Sequence, residues 1–488
     1  MTAELTFLPP IVDDDIVLRT VRVLEPREAD INGVSRLTFE IPNAEYNSVL
    51  DNKNVRMRAL VEFRHIRTNE LLNAEETKAV PSMNLIHNLW RNIKVEMSGT
   101  VVSSQDFHYG QRAFLAKLST ATKTSQELEF SSSLFHIDED IIGTADQTES
   151  KPGKRAGYYR VAKEHFHAED QEKIGDADHY PVMISPETHD NLGAKLHKEF
   201  LRDRGEEEAD EGQGRPHLLE DYIYETPFYN AQFFLPFGCP LKIEFDKHNN
   251  PEYYIKGENA ANYKVRFLSF QLLLPYMQLA SEKFAEINRL VTDQTSPLDL
   301  WITRDVIREK TVATDQNPLT FYDLFVNQVT DVLPEKLLFS FTTSKALHGD
   351  KMTNNFYYRH HNLQRWFLTL PSRQVIPDPA NGQYDFAQGI TEQAYKELIT
   401  TLQVDSDGMG TVLSEPLFVN ALSFFGARLT PKESNPKVAQ ATAIGSWSLC
   451  CQWHKAPVEA DALILLIVGS FKSKITIHPS RAVTTNYN

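Results

Sequence analysis

The chain has 488 residues, 41% of them hydrophobic and 24% charged, with 28 Phe and 18 Tyr; it is too long for one ordinary core and too apolar for a disordered chain, so two or three packed domains are expected. A formal net charge of −16 speaks against a surface built to neutralise phosphates, so direct, sequence-specific nucleic-acid binding is not expected. The longest apolar run, Ala462 to Val468, falls far short of the roughly 20 residues of a membrane helix, and MTAELTFLPP lacks the basic and apolar regions of a secretory signal, so synthesis and retention inside a cell are expected.

The first strands show by alternation. Val17, Arg19, Val21 and Val23 share one face of a mixed strand, Leu37, Phe39 and Ile41 mark a second, and Val55 to Phe63 alternates apolar residues with Arg56, Arg58, Glu62 and Arg64. In Asn84 to Thr120, Ile93, Val95 and Met97 alternate up to a Ser98-Gly99 turn, and Val101 and Val102 return as the second arm of a hairpin. Asp106 is placed to cap a short helix carrying Tyr109, Ala113, Phe114, Ala116 and Leu118, with Gly110 weakening its first turn. Phe114 and Leu118 are expected in the core of the first unit, so aspartate at either should unfold it.

From about 125 to 219 the pattern fails. The segment is charged, with an acidic run at Glu206, Glu207, Glu208, Asp210 and Glu211, and reads as a loop insertion anchored by Tyr158, Tyr159, Phe166 and Tyr180. Strands resume at Phe228, at Phe233 to Leu235, and at Leu241, Ile243 and Phe245, and Tyr263 to Leu274 passes from alternating to continuously apolar. Ser281 to Asp293 has helical spacing at Phe284, Ile287, Leu290 and Val291, with Ser296-Pro297 as its breaker; the domain junction is placed here, giving units 1–285 and 286–488.

The second unit opens with strands at Trp301 to Lys310, Phe321 to Val329 and Lys336 to Phe341. Asn362 to Leu402 then repeats the earlier hairpin and helix: Trp366, Leu368 and Leu370 alternate, Pro371-Ser372 turns, Pro377-Asp378-Pro379 stiffens the loop, and Thr391 caps a helix with Ala394, Tyr395, Leu398, Ile399 and Leu402. Strands at Leu417 to Leu429, at Trp447 to Trp453 and from Ala462 through Ile477 complete it. The repeated succession, with little identity between copies, predicts an all-β chain of two consecutive eight-stranded jelly-roll β-sandwiches, with short helices and a long inserted loop in the first.

The residues LIHNLWRNIKVEMSGTVVSSQDFHYGQRAFLAKL, GRPHLLEDYIY, FFLPFGCPLKIEF and YKVRFLSFQLLL, followed by NNFYYRHHNLQRWFLTLPSRQVIPDP, EQAYKEL, FFGARLTP and ITIHPSRAVTTNYN, resemble the double jelly-roll major capsid proteins of DNA viruses and of Polinton (Maverick) elements, in the lineage of adintoviruses and nucleocytoplasmic large DNA viruses. The resemblance runs over nearly the whole chain as an order of elements. It implies a homotrimer forming a pseudo-hexagonal capsomer that tiles an icosahedral virion shell, made in the host cytoplasm or nucleus. The partners it implies are neighbouring capsomers, penton and minor or cementing capsid proteins, with an internal membrane or a basic core protein between shell and genome.

Chemical motifs are few. His165-Phe166-His167 with Glu169 or Glu172 has the composition of a metal site but lies in the insertion and lacks cupin spacing, and His360-His361 reads as a turn or interface pair. No nucleophile-elbow, Walker A, dinucleotide-binding or C-x-x-C pattern occurs, so no catalytic, cofactor-binding or metal residue is assigned and an enzyme is not expected. Cys239 stands alone and the adjacent Cys450 and Cys451 point to opposite faces of a strand, which predicts free thiols and a reducing compartment. The aromatic content, including Trp90, Trp301, Trp366, Trp447 and Trp453, keeps a carbohydrate- or receptor-binding β-sandwich as an alternative, and the 66 acidic residues keep a β-sandwich glycoside hydrolase.

Overall fold

Strands of alternating apolar residues must bury one face against a second layer, and in the computed structural model of the chain that layer is another sheet, twice over. The structure describes residues 15–41, 47–72, 79–103, 107–122, 125, 130–137, 216–229, 239–257, 260–292, 297–325, 334–351, 353–370, 375–377, 383–386, 388–402, 412–429, 447–457, 461–478 and 480–485. The anchors predicted at Tyr158, Tyr159, Phe166 and Tyr180, the acidic run, Asp106, Phe233 to Leu235 and the Pro371-Ser372 turn lie outside these residues.

The first half contributes strands β1 (Ile16–Leu24), β2 (Arg36–Ile41), β3 (Arg56–His65), β4 (Trp90–Met97), β5 (Thr100–Val101), β6 (His217–Tyr222), β7 (Leu241–Lys247) and β8 (Tyr263–Leu279). The second half contributes β9 (Leu298–Thr311), β10 (Leu319–Tyr322), β11 (Lys336–Thr343), β12 (Leu363–Thr369), β13 (Val375–Ile376), β14 (Phe425–Arg428), β15 (Ser448–Trp453) and β16 (Leu463–Ile477). The sheets of the first half run β1-β8-β3-β6 and β2-β7-β4-β5; those of the second run β9-β16-β11-β14 and β10-β15-β12-β13. Raising each number by eight converts one half into the other, and every pairing on these paths is antiparallel. Both expected sandwiches are therefore present among the described residues, each with sequence-distant strands as neighbours.

Short additions extend the scheme. Ser48–Leu50 pairs with β8 and Val483–Thr485 with β16, at equivalent long strands of the two halves. Helix α1 (Tyr109–Thr120) follows the β4-β5 hairpin, α2 (Ser281–Thr292) connects the halves, α3 (Glu392–Leu402) follows the β12-β13 hairpin, and α4 (Glu415–Asn420) follows α3.

Several elements differ from their sequence expectation. The segment read as a strand from Leu417 to Leu429 begins as α4, because the Ser414 hydroxyl accepts the Leu417 N–H at 3.4 Å and Pro416 stands in the first turn; only Phe425–Arg428 is extended. β10 starts at Leu319 and ends at Tyr322, short of the expected Val329, with residues 326–333 outside the described set. Phe228 lies in a turn and is buried. β6 begins at His217, inside the span read as insertion, and at its other end residues 133–135 and 137 are buried. Thr391 supplies its carbonyl to Tyr395 N–H at 3.0 Å, but its hydroxyl donates to Glu415 Oε1 at 2.8 Å and so ties α3 to α4.

The cores do not respect the midpoint of the chain. Leu298, Leu300, Ile302, Ile475, Ile477 and Val483, all from the second half, are buried in one cluster with the first-half residues Phe39, Met57, Trp90 and Phe270. Conversely Met83, Phe114, Leu115, Leu118, Ala121, Phe135 and Ile137 pack with Phe339, Trp366 and Phe425 of the second half. Phe114 and Leu118 thus belong to the second core and not the first, contrary to expectation. Among the described residues, no helix is long and apolar enough to cross a membrane.

Candidate assembly interface

The junction between the sandwiches is built around α1, whose sequence YGQRAFLAKLST spends every face on a contact. Tyr109, Ala113 and Ala116 face the first core, while Phe114, Leu115 and Leu118 enter the second. Phe114 stacks on Phe356 with ring centroids 4.4 Å apart and lies 6.3 Å from Tyr358. Gly110 is the residue that lets the helix sit so deep: a Cβ there would fall 2.6 Å from Asn88 Oδ1.

The remaining faces of α1 carry charge into the interior. Lys117 is wholly buried and pairs with Asp221 of β6, and its ammonium also donates to Asn84 Oδ1 at 2.9 Å and Ser133 Oγ at 2.6 Å. His87 Nε2 lies 2.9 Å from Asp221 Oδ2 and its Nδ1 lies 3.0 Å from the Tyr109 hydroxyl. Burial and the neighbouring Lys117 charge push His87 down to about 4, so at neutral pH the imidazole is uncharged, donates Nε2–H to Asp221 and accepts from Tyr109. Burial alone would raise Asp221, but the charge of Lys117 and the hydrogen bonds from His87 and Lys117 hold it far below the usual carboxylate range. One turn earlier Arg112 pairs with Glu225, both buried. Buried charges matched in this way fix one arrangement, because removing either partner strands the other in low dielectric.

Hydrogen bonds tie the halves around this helix. Tyr253 OH donates to Gln111 Oε1 at 2.8 Å, and Asn355 Nδ2 donates to Tyr253 O at 2.5 Å. The buried Lys256 ammonium donates to Asp350 O at 2.9 Å and Asn355 Oδ1 at 2.6 Å, and Gly257 N–H to Lys351 O at 2.6 Å. Val412 N–H reaches Ala121 O at 3.1 Å, and Thr100 Oγ1 reaches Val483 O at 2.7 Å. His108 Nε2, from the residue before α1, lies 2.9 Å from Glu309 Oε1 near the end of β9. The two sandwiches are tied together by a buried, extensively hydrogen-bonded junction, although Asn84 Nδ2, Asn88 Oδ1 and the Tyr358 hydroxyl within it have no hydrogen-bond partner among the described residues.

Outer surfaces differ between the halves. On the β2-β7-β4 sheet, Arg36 meets Asp246 at 2.6 Å and Lys242 meets Glu244 at 2.5 Å, with Lys94 beside Glu96 and Glu244. The matching sheet of the second half carries uncharged groups at Thr320, Ser448 and Gln452, with Arg365 donating to Gln452 Oε1 at 2.8 Å. An open cavity of about 320 Å³ lies between the Asn32–Ser35 turn and Phe267; the Lys247 amine on its wall donates inward to Ile31 O and to Val34 O at 3.0 Å.

The residues singled out for chemistry separate clearly. His165, His167, Glu169 and Glu172 lie outside the described residues. His360 and His361 occupy a turn, His360 stacked 4.0 Å from Phe386 and His361 edge-on to Phe341; burial, reinforced by Arg359, pushes them down to about 4 and about 3. Among the described residues no three His, Cys, Asp or Glu side chains gather at metal-binding spacing. Cys239, Cys450 and Cys451 are free and buried. Trp90, Trp366 and Trp453 are core residues, while Trp301 and Trp447 are half-buried, Trp447 stacked on Phe325. The junction's ion pairs were invisible in sequence, since Asp221 and Glu225 stand about a hundred positions from Lys117 and Arg112. The one signal was two cations in a short helix without an acidic residue.

With this geometry in view, the comparison with solved structures is decisive for the fold. Over 99% of its length the chain is similar to 91% of a chain in the cryo-EM structure of the Sputnik virophage, at 10% identity and a TM-score of 0.58. The fold is a double jelly roll. The chain is also similar to the mavirus major capsid protein (11% identity, 100% of this chain and 93% of that one, TM-score 0.47) and to the Faustovirus major capsid protein (7% identity, 93% and 89%, TM-score 0.47). No protein-family description and no curated protein matches the sequence. In this double jelly roll, α1 and α3 are the same element in the two sandwiches, each placed between the hairpin and the next sheet strand.

Proposed function

We propose that this chain is a major capsid protein whose homotrimers form pseudo-hexagonal capsomers of an icosahedral virion shell. The observation that carries the reading is the internal repeat: two jelly rolls of identical strand order, their cores interlocked through α1, α2 and the ends of β9 and β16. Two similar, rigidly joined sandwiches give three copies six nearly equivalent sides, which suits tiling and has no evident use in turnover. Likeness over almost the whole chain to a virophage chain supports it. In the shell it would meet neighbouring capsomers, penton and minor capsid proteins. The acidic balance of −16 favours a membrane or a basic protein, and not the genome itself, against its inner side.

Sizing by multi-angle light scattering tests the first step. The reading predicts a mass three times the 55.8 kDa of the chain; monomer alone at high concentration contradicts it.

A further inference from the structure

The repeat supplies a template for contacts that one chain alone leaves open. In the second sandwich the edge strand β9 starts with Leu298, Leu300 and Ile302, all buried in the core dominated by the first sandwich. Its counterpart is β1, the edge strand of the first sandwich. There Val17 is 66% exposed, Leu18 52%, Val21 55% and Val23 53%. These are four of the ten large exposed hydrophobic side chains among the described residues, so the exposure is concentrated and not scattered. Regular alternation from Leu18 onward places Val21 and Val23 on one face of the strand and Leu18 on the other, and Val17 stands in a bulge between Ile16 and Leu18. Among the described residues no strand pairs with the outer edge of β1, and an edge strand with apolar groups on both faces invites another chain.

The stripe is continuous with the junction already described. Ala280 N–H donates to the carbonyl of Asp15, next to β1, at 2.8 Å, and Lys283 of α2 lies 3.8 Å from the Asp15 carboxylate. Phe284 and Ile287 of the same helix enter the core that receives Leu298. The helices make the complementary case. α1 is buried to Leu118 because the second sandwich covers it, whereas α3 leaves Glu392, Gln393, Lys396 and Thr400 exposed. One junction is closed inside the chain, and among the described residues the two sides of a second like it remain open, β1 on the first sandwich and α3 on the second.

We propose that β1 docks against the α3 side of the second sandwich of another copy of this chain. The contact is head to tail, so it must close into a ring to remain finite, and three copies do so if the capsomer reading on which this rests is right. The test uses the full chain carrying Val21→Glu and Val23→Glu, both at exposed positions, with sedimentation to follow assembly and circular dichroism to follow the fold. The expected result is a folded variant whose trimer dissociation constant rises at least about tenfold. Hydrogen exchange on the unmodified chain decides independently of the variant: amides of 16–24 and 390–400 should be slower in the trimer than in the diluted monomer. A variant that trimerises normally, or a β1 exchanging equally in both states, would overturn the docking and leave the trimer standing. An unmodified chain that stays monomeric overturns both.

Discussion

Helices α1 and α3 hold the same place in the repeat and live in opposite environments. α3 is an ordinary amphipathic helix: Ala394, Leu398 and Leu402 face its own core, and Glu392, Gln393 and Lys396 face outward. α1 has no outward face, and its polar residues Gln111, Arg112 and Lys117 all find partners in the interior. One architectural position thus serves as a lid in one sandwich and as a joint in the other. What decides between them is whether a second sandwich sits on the helix, a tertiary circumstance that overrides the local pattern.

The sharpest way to break this comparison is Phe114→Asp. A charge placed between Phe356 and the second core should cost more than about 4 kcal/mol and bring down both sandwiches in one transition by calorimetry. Loss of the first sandwich alone would return Phe114 to the first core and refute the joint. Next in size is Asp221→Ala, which strands the Lys117 ammonium in the interior and should cost about 3–5 kcal/mol by denaturant unfolding. A cost under about 1 kcal/mol would mean that Lys117 reaches water.

Acid should loosen both halves by smaller steps. Burial pushes His87 to about 4 and His248 to about 3 in the first sandwich, and His360 to about 4 and His361 to about 3 in the second. Each is depressed below the ordinary value near 6.5, so the unfolded chain takes up protons first as pH falls. Their stabilisation is complete above about pH 6.5 and is lost progressively toward pH 4, at about 1.4 kcal/mol per histidine by pH 5.5. A melting temperature flat between pH 7 and 5 would contradict this. At the small end, Lys396→Ala on the outer face of α3 should change the unfolding free energy of the dilute monomer by less than about 0.5 kcal/mol. A larger effect would show α3 to be tied down within its own chain.

The sequence made the strands legible wherever one face is dry and the other wet, as at Leu37, Phe39 and Ile41 or Trp366 and Leu368, and it made the repeat legible because hairpin and helix recur in order. It did not reveal which sandwich Phe114 serves, since an apolar residue is silent about its neighbour. Asp221 and Glu225 could not be matched to Lys117 and Arg112 across the insertion, because ion pairing leaves no trace at long separation. The apolar run from Leu417 hid α4, whose start was written in Ser414 and Pro416. At β1 the alternation holds for Val21 and Val23, whose face is open, but a bulge between Ile16 and Leu18 takes Val17 out of it.

Electron microscopy of the purified, concentrated chain tests the tiling role most directly. The expected image is a threefold particle with a near-hexagonal outline, six sandwiches around one axis, and β1 of each copy covered by its neighbour. Monodisperse single chains, or a twofold dimer with β1 facing solvent, would contradict it.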